Sequence, residues 1–159
     1  MPRKNQAPPP EPFLLPILLL VEGRDTLECV RRLIATRNLQ EKEIDLRNFG
    51  GINDLPRWLE TIPKGSGFSN VTSIGIIRDA ENGTARSAFD SVCGSLRKAG
   101  FQPPTEMNTK TAQLPATSIF ILPNCSDSGM LEDLCLAAIA EHPSMPCVDD
   151  FLLCLEGKD

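Results

Sequence analysis

Val71-Thr72-Ser73-Ile74-Gly75-Ile76-Ile77-Arg78-Asp79-Ala80-Glu81 is the stretch that decides the fold. Its first seven residues are rich in Val and Ile, side chains that fit a pleated surface, and they predict a strand over 71–77. It passes directly into the acidic turn Arg78-Asp79-Ala80-Glu81. The same form occurs upstream, where Ile17-Leu18-Leu19-Leu20-Val21 runs into Glu22-Gly23. Two further strands are predicted over 43–49, closed by Gly50-Gly51, and over 118–122.

Helical patterns fill the intervals. Asp25 opens one with Leu27, Val30, Leu33 and Ile34 on a common face. Asn53 or Asp54 caps a second carrying Leu55, Trp58, Leu59 and Ile62, and Thr84 caps a third with Ala85, Phe89, Val92, Leu96 and Ala99 at three-four spacing. A fourth spans 130–141 with Leu131, Leu134, Cys135 and Ala138 inward, and a short fifth spans 150–155. Strand and helix alternate throughout. The fold class is therefore α/β: a three-layer, Rossmann-like arrangement with a mainly parallel four-stranded sheet and helices on both faces.

At 159 residues the chain suits one domain, taken as residues 13–159 behind a disordered proline-rich tail over 1–12. The net charge is −5 and there is no dense Lys/Arg block, so tight nucleic-acid binding by this domain alone is disfavoured. Six cysteines form no C-x-x-C pair and a single histidine accompanies them, which gives zinc poor support. Cys29, Cys93 and Cys135 fall in helical patterns as small core residues, and reduced thiols suit a cytoplasmic protein. Arg3 and Lys4 before the apolar run 13–21 superficially resemble a signal peptide. Prolines crowd that approach, no small-residue cleavage site follows, and the run is too short to span a bilayer as a helix. No membrane association is expected.

In open α/β sheets the ligand site lies beyond the carboxyl ends of the strands. Glu22 follows the first strand, Asp79 and Glu81 the third, and Asp127, Glu132 and Asp133 the fourth. A helix-and-sheet core needs no carboxylates there, and several together repel one another unless a cation joins them. Mg²⁺ (or Mn²⁺) suits such a cluster, since it takes hard oxygen ligands. For Glu22 and Asp79 to share a site, the first and third strands must be neighbours. Each acid also has a plain structural role open to it. Asp25 with Glu28 fits a D-x-x-E cap, Glu132 and Asp133 suit a helix N-terminus, and Asp79 can begin a turn.

Leu19-Leu20-Val21-Glu22-Gly23-Arg24-Asp25 resembles the first motif of the Toprim family, a hydrophobic strand ending in Glu-Gly. Ile76-Ile77-Arg78-Asp79-Ala80-Glu81 is similar to its second, Asp-x-Asp, with Glu in the last place. The Gly50-Gly51 step and Ile121-Leu122-Pro123-Asn124 followed by Ser128-Gly129-Met130-Leu131-Glu132-Asp133 resemble a small bacterial group related to the OLD-type Toprim nucleases.

The resemblance covers about residues 15–140 and implies a Toprim fold with metal-dependent phosphodiester chemistry on nucleic acid. It implies Glu22 as general acid/base and Asp79, Glu81 and Glu132 as metal ligands, with Asp25, Arg24 and Asp133 as outer or phosphate contacts. Two rivals stand beside it. One is a noncatalytic metal- or nucleotide-binding module acting through a partner protein. The other is an α/β phosphatase or phospho-acceptor using Asp79, since Asp79-Ala80-Glu81-Asn82-Gly83-Thr84 also resembles the D-x-D-x-T loop of haloacid-dehalogenase-type phosphatases. The chain has no Tyr, which excludes a tyrosyl intermediate within it.

Overall fold

Four strands pair side by side into one parallel sheet in the order β2-β1-β3-β4. The structure is a computed structural model and describes residues 11–39 and 43–156. The strands are β1 (Ile17–Glu22), β2 (Ile44–Gly50), β3 (Ser73–Asp79) and β4 (Ala116–Leu122). The helices are α1 (Arg24–Thr36), α2 (Leu55–Thr61), α3 (Ala85–Lys98), α4 (Leu131–Ile139) and α5 (Met145–Glu156). The fold is a three-layer α/β arrangement of the Rossmann-like kind, as the alternation of patterns predicts, with every strand pair parallel.

Side chains on a strand alternate between the two faces of the sheet. Leu18, Leu20, Ile74, Ile76, Ile119 and Ile121 therefore point one way, and each is at most 1% exposed. They meet Leu55 and Leu59 of α2 and Phe89, Val92 and Leu96 of α3 in the main core. Leu19, Ile77 and Phe120 point the other way, toward α1 and α4, and are only half-buried. The second face is thus more thinly covered than the first.

Several sequence-level expectations need correction. β3 begins at Ser73 rather than Val71, because the Val71 N–H is taken by the Phe68 carbonyl at 2.9 Å in a preceding 3-10 turn. At its other end the strand extends to Asp79, which is its last residue. α1 seats through Thr26 and Ile34, while Leu33 is 48% exposed. Thr84 caps α3 as expected, accepting the Ser87 N–H at 3.1 Å. Asp54 occupies the cap position of α2, but its carboxylate turns back to the Gly51 N–H at 3.3 Å.

The greatest departure is at the C-terminal helices. Of α4 only Leu131 is buried, so Leu134, Cys135 and Ala138 do not face inward as predicted. α5 is longer than the predicted 150–155 and buries no residue. Cys93 is a core thiol, pushed up in pKa by burial, whereas Cys135 is exposed. The tail expected over 1–12 lies outside the described residues up to position 10. Glu11 and Pro12 are held, their carbonyls accepting from Arg47 at 3.1 and 3.2 Å. Among the described residues no helix is long and apolar enough to cross a membrane.

Candidate functional site

With β1 beside β3, the acids that end those strands become neighbours. Val21 is in register with Ile77, and the Asp79 N–H donates to Glu22 Oε2 at 3.3 Å. A bulge between Val21 and Glu22 sets Glu22 opposite Gly50 of β2, and the Gly23 N–H donates to the Gly50 carbonyl at 3.2 Å. Gly50 has φ +88°, and an added Cβ would lie 2.8 Å from Asp54 Oδ2. The Gly50-Gly51 step therefore has a physical reason: it lets β2 turn tightly beside the Glu22-Gly23 turn.

Asp79 is held from the other side by α4. The Leu131 N–H, one of the unpaired amides of a helix's first turn, donates to Asp79 Oδ1 at 3.2 Å. A two-way backbone bridge brings α4 to this place. The Glu81 N–H donates to the Gly129 carbonyl and the Gly129 N–H to the Glu81 carbonyl, both at 2.8 Å. Gly129 has φ +128°, and a Cβ there would come within 2.5 Å of Asp133 Oδ2. That oxygen accepts the Met130 N–H at 2.8 Å, so Asp133 caps α4 from its own first turn.

Glu22, Asp79, Glu81 and Glu132 act on one another electrically. Burial pushes the Glu22 carboxyl above its ordinary pKa, and the charges of Asp79 and Glu81 add to the rise; Arg78 and the Asp79 amide oppose it. Burial likewise raises Asp79, with Glu132 and Glu81 adding to the rise and the Leu131 amide and Arg78 opposing it. Glu81 and Glu132 are themselves exposed.

The remaining candidates are not drawn in to the same degree. Arg24 and Asp25 are exposed in the first turn of α1 and, among the described residues, make no hydrogen bond to these acids. The Asp25–Glu28 cap does not form. Gly23 turns the chain at φ +78° and takes the cap position itself, and Glu28 pairs with Arg31 instead. Asp127 is committed to its own loop, where its carboxylate accepts the Asn124 side-chain amide at 2.6 Å.

Arg78 is the participant that the sequence pattern did not single out. It shares the parity of Ile74 and Ile76 and so points into the main core, where it is 8% exposed. Its Nη1 donates to the Ala88 carbonyl at 3.2 Å, and its Nε lies 3.5 Å from Glu22 Oε2 without a hydrogen-bond partner. A charged residue continuing a core-facing alternation, one step before the acid, was the available signal.

Among the described residues no three His, Cys, Asp or Glu side chains converge closely enough to hold a metal ion. Zinc, which takes three or four protein ligands, does not fit this arrangement. Mg²⁺ does fit, because it commonly accepts one or two carboxylates and fills its shell with water and phosphate oxygens. The half-buried Asp79 carboxylate, lifted in pKa by burial and by like charge, is the donor chemistry such an ion favours.

Asp79 also carries a stability consequence. A carboxyl whose native pKa exceeds its unfolded value stabilises the fold below that unfolded value, and this contribution is lost as pH rises through the native pKa. Asp79→Asn keeps an oxygen for the Leu131 amide and carries no charge to lose. Metal-free Asp79→Asn should therefore melt above wild type at pH 8, with the difference vanishing below about pH 4. Melting curves in chelator across that range check the sign; equal curves at every pH would mean that Asp79 is not strained by its neighbours.

The chain is thus a parallel α/β protein with carboxylates at the ends of β1 and β3. The chain belongs to the family described as protein of unknown function, DUF3226, whose model matches residues 16–159. No curated protein and no solved structure matches it.

Proposed function

We propose that this is a Toprim-like, Mg²⁺-binding domain that carries out metal-dependent phosphodiester chemistry on nucleic acid. The observation that supports it most is the contact of two strand-end acids across β1 and β3, with the Asp79 N–H on Glu22 Oε2 at 3.3 Å. A third element, the first turn of α4, is bonded to the same Asp79 through the Leu131 amide. Three separated segments thus meet at one acidic point at the carboxyl ends of the strands.

In this reading Asp79, with Glu81 or Glu132 as a second carboxylate, would hold Mg²⁺ or Mn²⁺, sharing the ion with water and substrate phosphate. The bound ion would supply charge neutralisation on the phosphate oxygens. Glu22 has a different task. Its carboxylate is steadied by the Asp79 amide and by Arg78, and its raised pKa brings it nearer to neutrality, where a proton-transfer group works best. Glu22 accepts a proton from the attacking water or returns one to the leaving oxygen. The acidic balance of the chain (net −5) weakens phosphate attraction, so a partner protein that adds basic surface fits this domain. A reducing cytoplasmic setting fits its six free thiols.

Two measurements test the proposal. Millimolar Mg²⁺ or Mn²⁺ should raise the melting temperature beyond an ionic-strength control, because a ligand bound only by the native state stabilises it by mass action. Single- and double-stranded DNA and RNA should be cut in Mn²⁺ or Mg²⁺ and spared in chelator. Binding of metal without cutting would favour the noncatalytic module. Phosphoryl transfer to Asp79 from a small donor would favour the phospho-acceptor, and unchanged melting in metal would remove the site altogether.

A further inference from the structure

Two thiols meet near the acidic site, and the nuclease-like reading uses neither. Cys29 lies on α1 and lines an apolar groove of about 290 Å³ between α1 and α4. Leu131 and Leu134 of α4 line the same groove. Cys135 follows Leu134 and stands one turn beyond Leu131, so it lies on the side of α4 that borders the groove. The two thiols act on one another. Burial pushes the Cys29 thiol above its ordinary pKa, the charge and hydrogen bonding of Cys135 add to the rise, and Arg32 opposes it. Cys93, the other thiol raised by burial, has Arg97, Asp90 and Arg86 acting on it and no cysteine.

Both cysteines are free, Cys29 half-buried and Cys135 exposed. A reagent in solution therefore reaches Cys135 first, while Cys29 stands behind it in the groove. Among the described residues no third His, Cys, Asp or Glu joins the pair closely enough to hold a metal ion. Only Leu131 of α4 is buried, so the helix can make the small adjustment that disulfide geometry requires. The same helix bears on the acidic site through its first turn, where the Leu131 amide holds Asp79.

We propose that Cys29 and Cys135 are a site of reversible oxidation by hydrogen peroxide, forming a disulfide that ties α4 to α1. The Cys135 thiolate attacks one peroxide oxygen and the O–O bond breaks. Hydroxide leaves and takes up the Cys135 proton as water, and Cys135 becomes a sulfenic acid. The Cys29 thiolate then attacks the Cys135 sulfur. The S–O bond breaks, and the departing hydroxide takes up the Cys29 proton as a second water. Together the thiols lose two electrons and the peroxide gains them. A dithiol reductant reverses the bond by exchange, and such transient bonds are the usual disulfides of a reducing compartment. The bond closes a loop that contains β2, β3 and β4. It pins the loosely seated α4, and with it the amide that holds Asp79, against its own sheet.

Mass spectrometry of the full chain, treated with hydrogen peroxide, alkylated and digested without reductant, tests this. A peptide pair joined through Cys29 and Cys135 within one chain should dominate the crosslinks, and dithiothreitol should remove it. Oxidised wild type should melt above reduced wild type, because the bond restricts the unfolded chain. Cys29→Ser and Cys135→Ser should each abolish that rise, while the double variant Cys147→Ser with Cys154→Ser should keep it. Cys135 is exposed, so Cys135→Ser should fold, and reduced melting equal to that of wild type verifies it. In Cys29→Ser, peroxide should leave Cys135 as a sulfenic acid that dimedone captures. The proposal is overturned if no bond forms, if another pair dominates, if Cys135 of wild type is oxidised without joining Cys29, or if oxidation leaves melting unchanged.

Discussion

Glu22→Gln should leave Mn²⁺ affinity close to wild type and lower cleavage about 10²–10⁴-fold, the usual worth of a positioned proton-transfer group. Gln keeps an oxygen for the Asp79 amide and the shape of the side chain, so the β1–β3 contact survives while the proton acceptor is lost. Asp79→Asn should behave in the opposite order: metal affinity falls first, and cleavage falls with it, recoverable in part at higher Mn²⁺. Calorimetric Mn²⁺ titration beside cleavage assays of both variants separates these outcomes. Equal loss of Mn²⁺ affinity in both would make Glu22 a ligand first and end the division of labour. A wild type that binds Mn²⁺ and cuts no DNA or RNA would defeat the catalytic claim while leaving the metal site standing.

The two central strands were legible because apolar residues dominate them. Ile17 to Val21 and Ile74 to Ile77 form continuous apolar runs that no surface strand would tolerate. The neighbouring of β1 and β3 was inferred from chemistry rather than pattern: two strand-end acids make sense together only if their strands touch. What could not be read was how loosely the last helices sit. Periodicity in Leu131, Leu134, Cys135 and Ala138 reports an apolar face, and that face looks the same whether it packs on its own sheet or on another molecule. The capping expectation at Asp25 failed for a local reason, since Gly23 with φ +78° takes the cap position and starts the helix two residues sooner than the D-x-x-E pattern implies. Backbone contacts that arrange the site, such as the Leu131 amide on Asp79 and the Glu81–Gly129 bridge, leave no trace in side-chain identity beyond the glycine itself.

Arg78→Met should destabilise the metal-free protein by about 3–5 kcal/mol at neutral pH, the usual cost of removing one partner from a buried ion pair. Arg78 and Glu22 have side chains only 10% and 11% exposed, and Nε stands 3.5 Å from Glu22 Oε2. Met fills much of the same volume, so the loss is chiefly electrical, together with the Nη1 bond to the Ala88 carbonyl of α3. The pH dependence identifies the electrical share. Arg78 holds the Glu22 pKa down against burial, and without it that pKa rises further. A raised carboxyl supports the fold below its unfolded value, about 4.3, and loses that support as pH rises through the native pKa. The deficit of Arg78→Met should therefore be large at pH 8 and shrink toward pH 4. The double variant with Glu22→Gln should recover most of the loss at pH 8, because no buried charge is then left without its partner. Urea melts of wild type, both single variants and the double variant at each pH give the coupling directly. A deficit equal at both pH values and untouched by Glu22→Gln would reduce Arg78 to a packing stem and an α3 tether, and would leave Glu22 without the buried cation that steadies it.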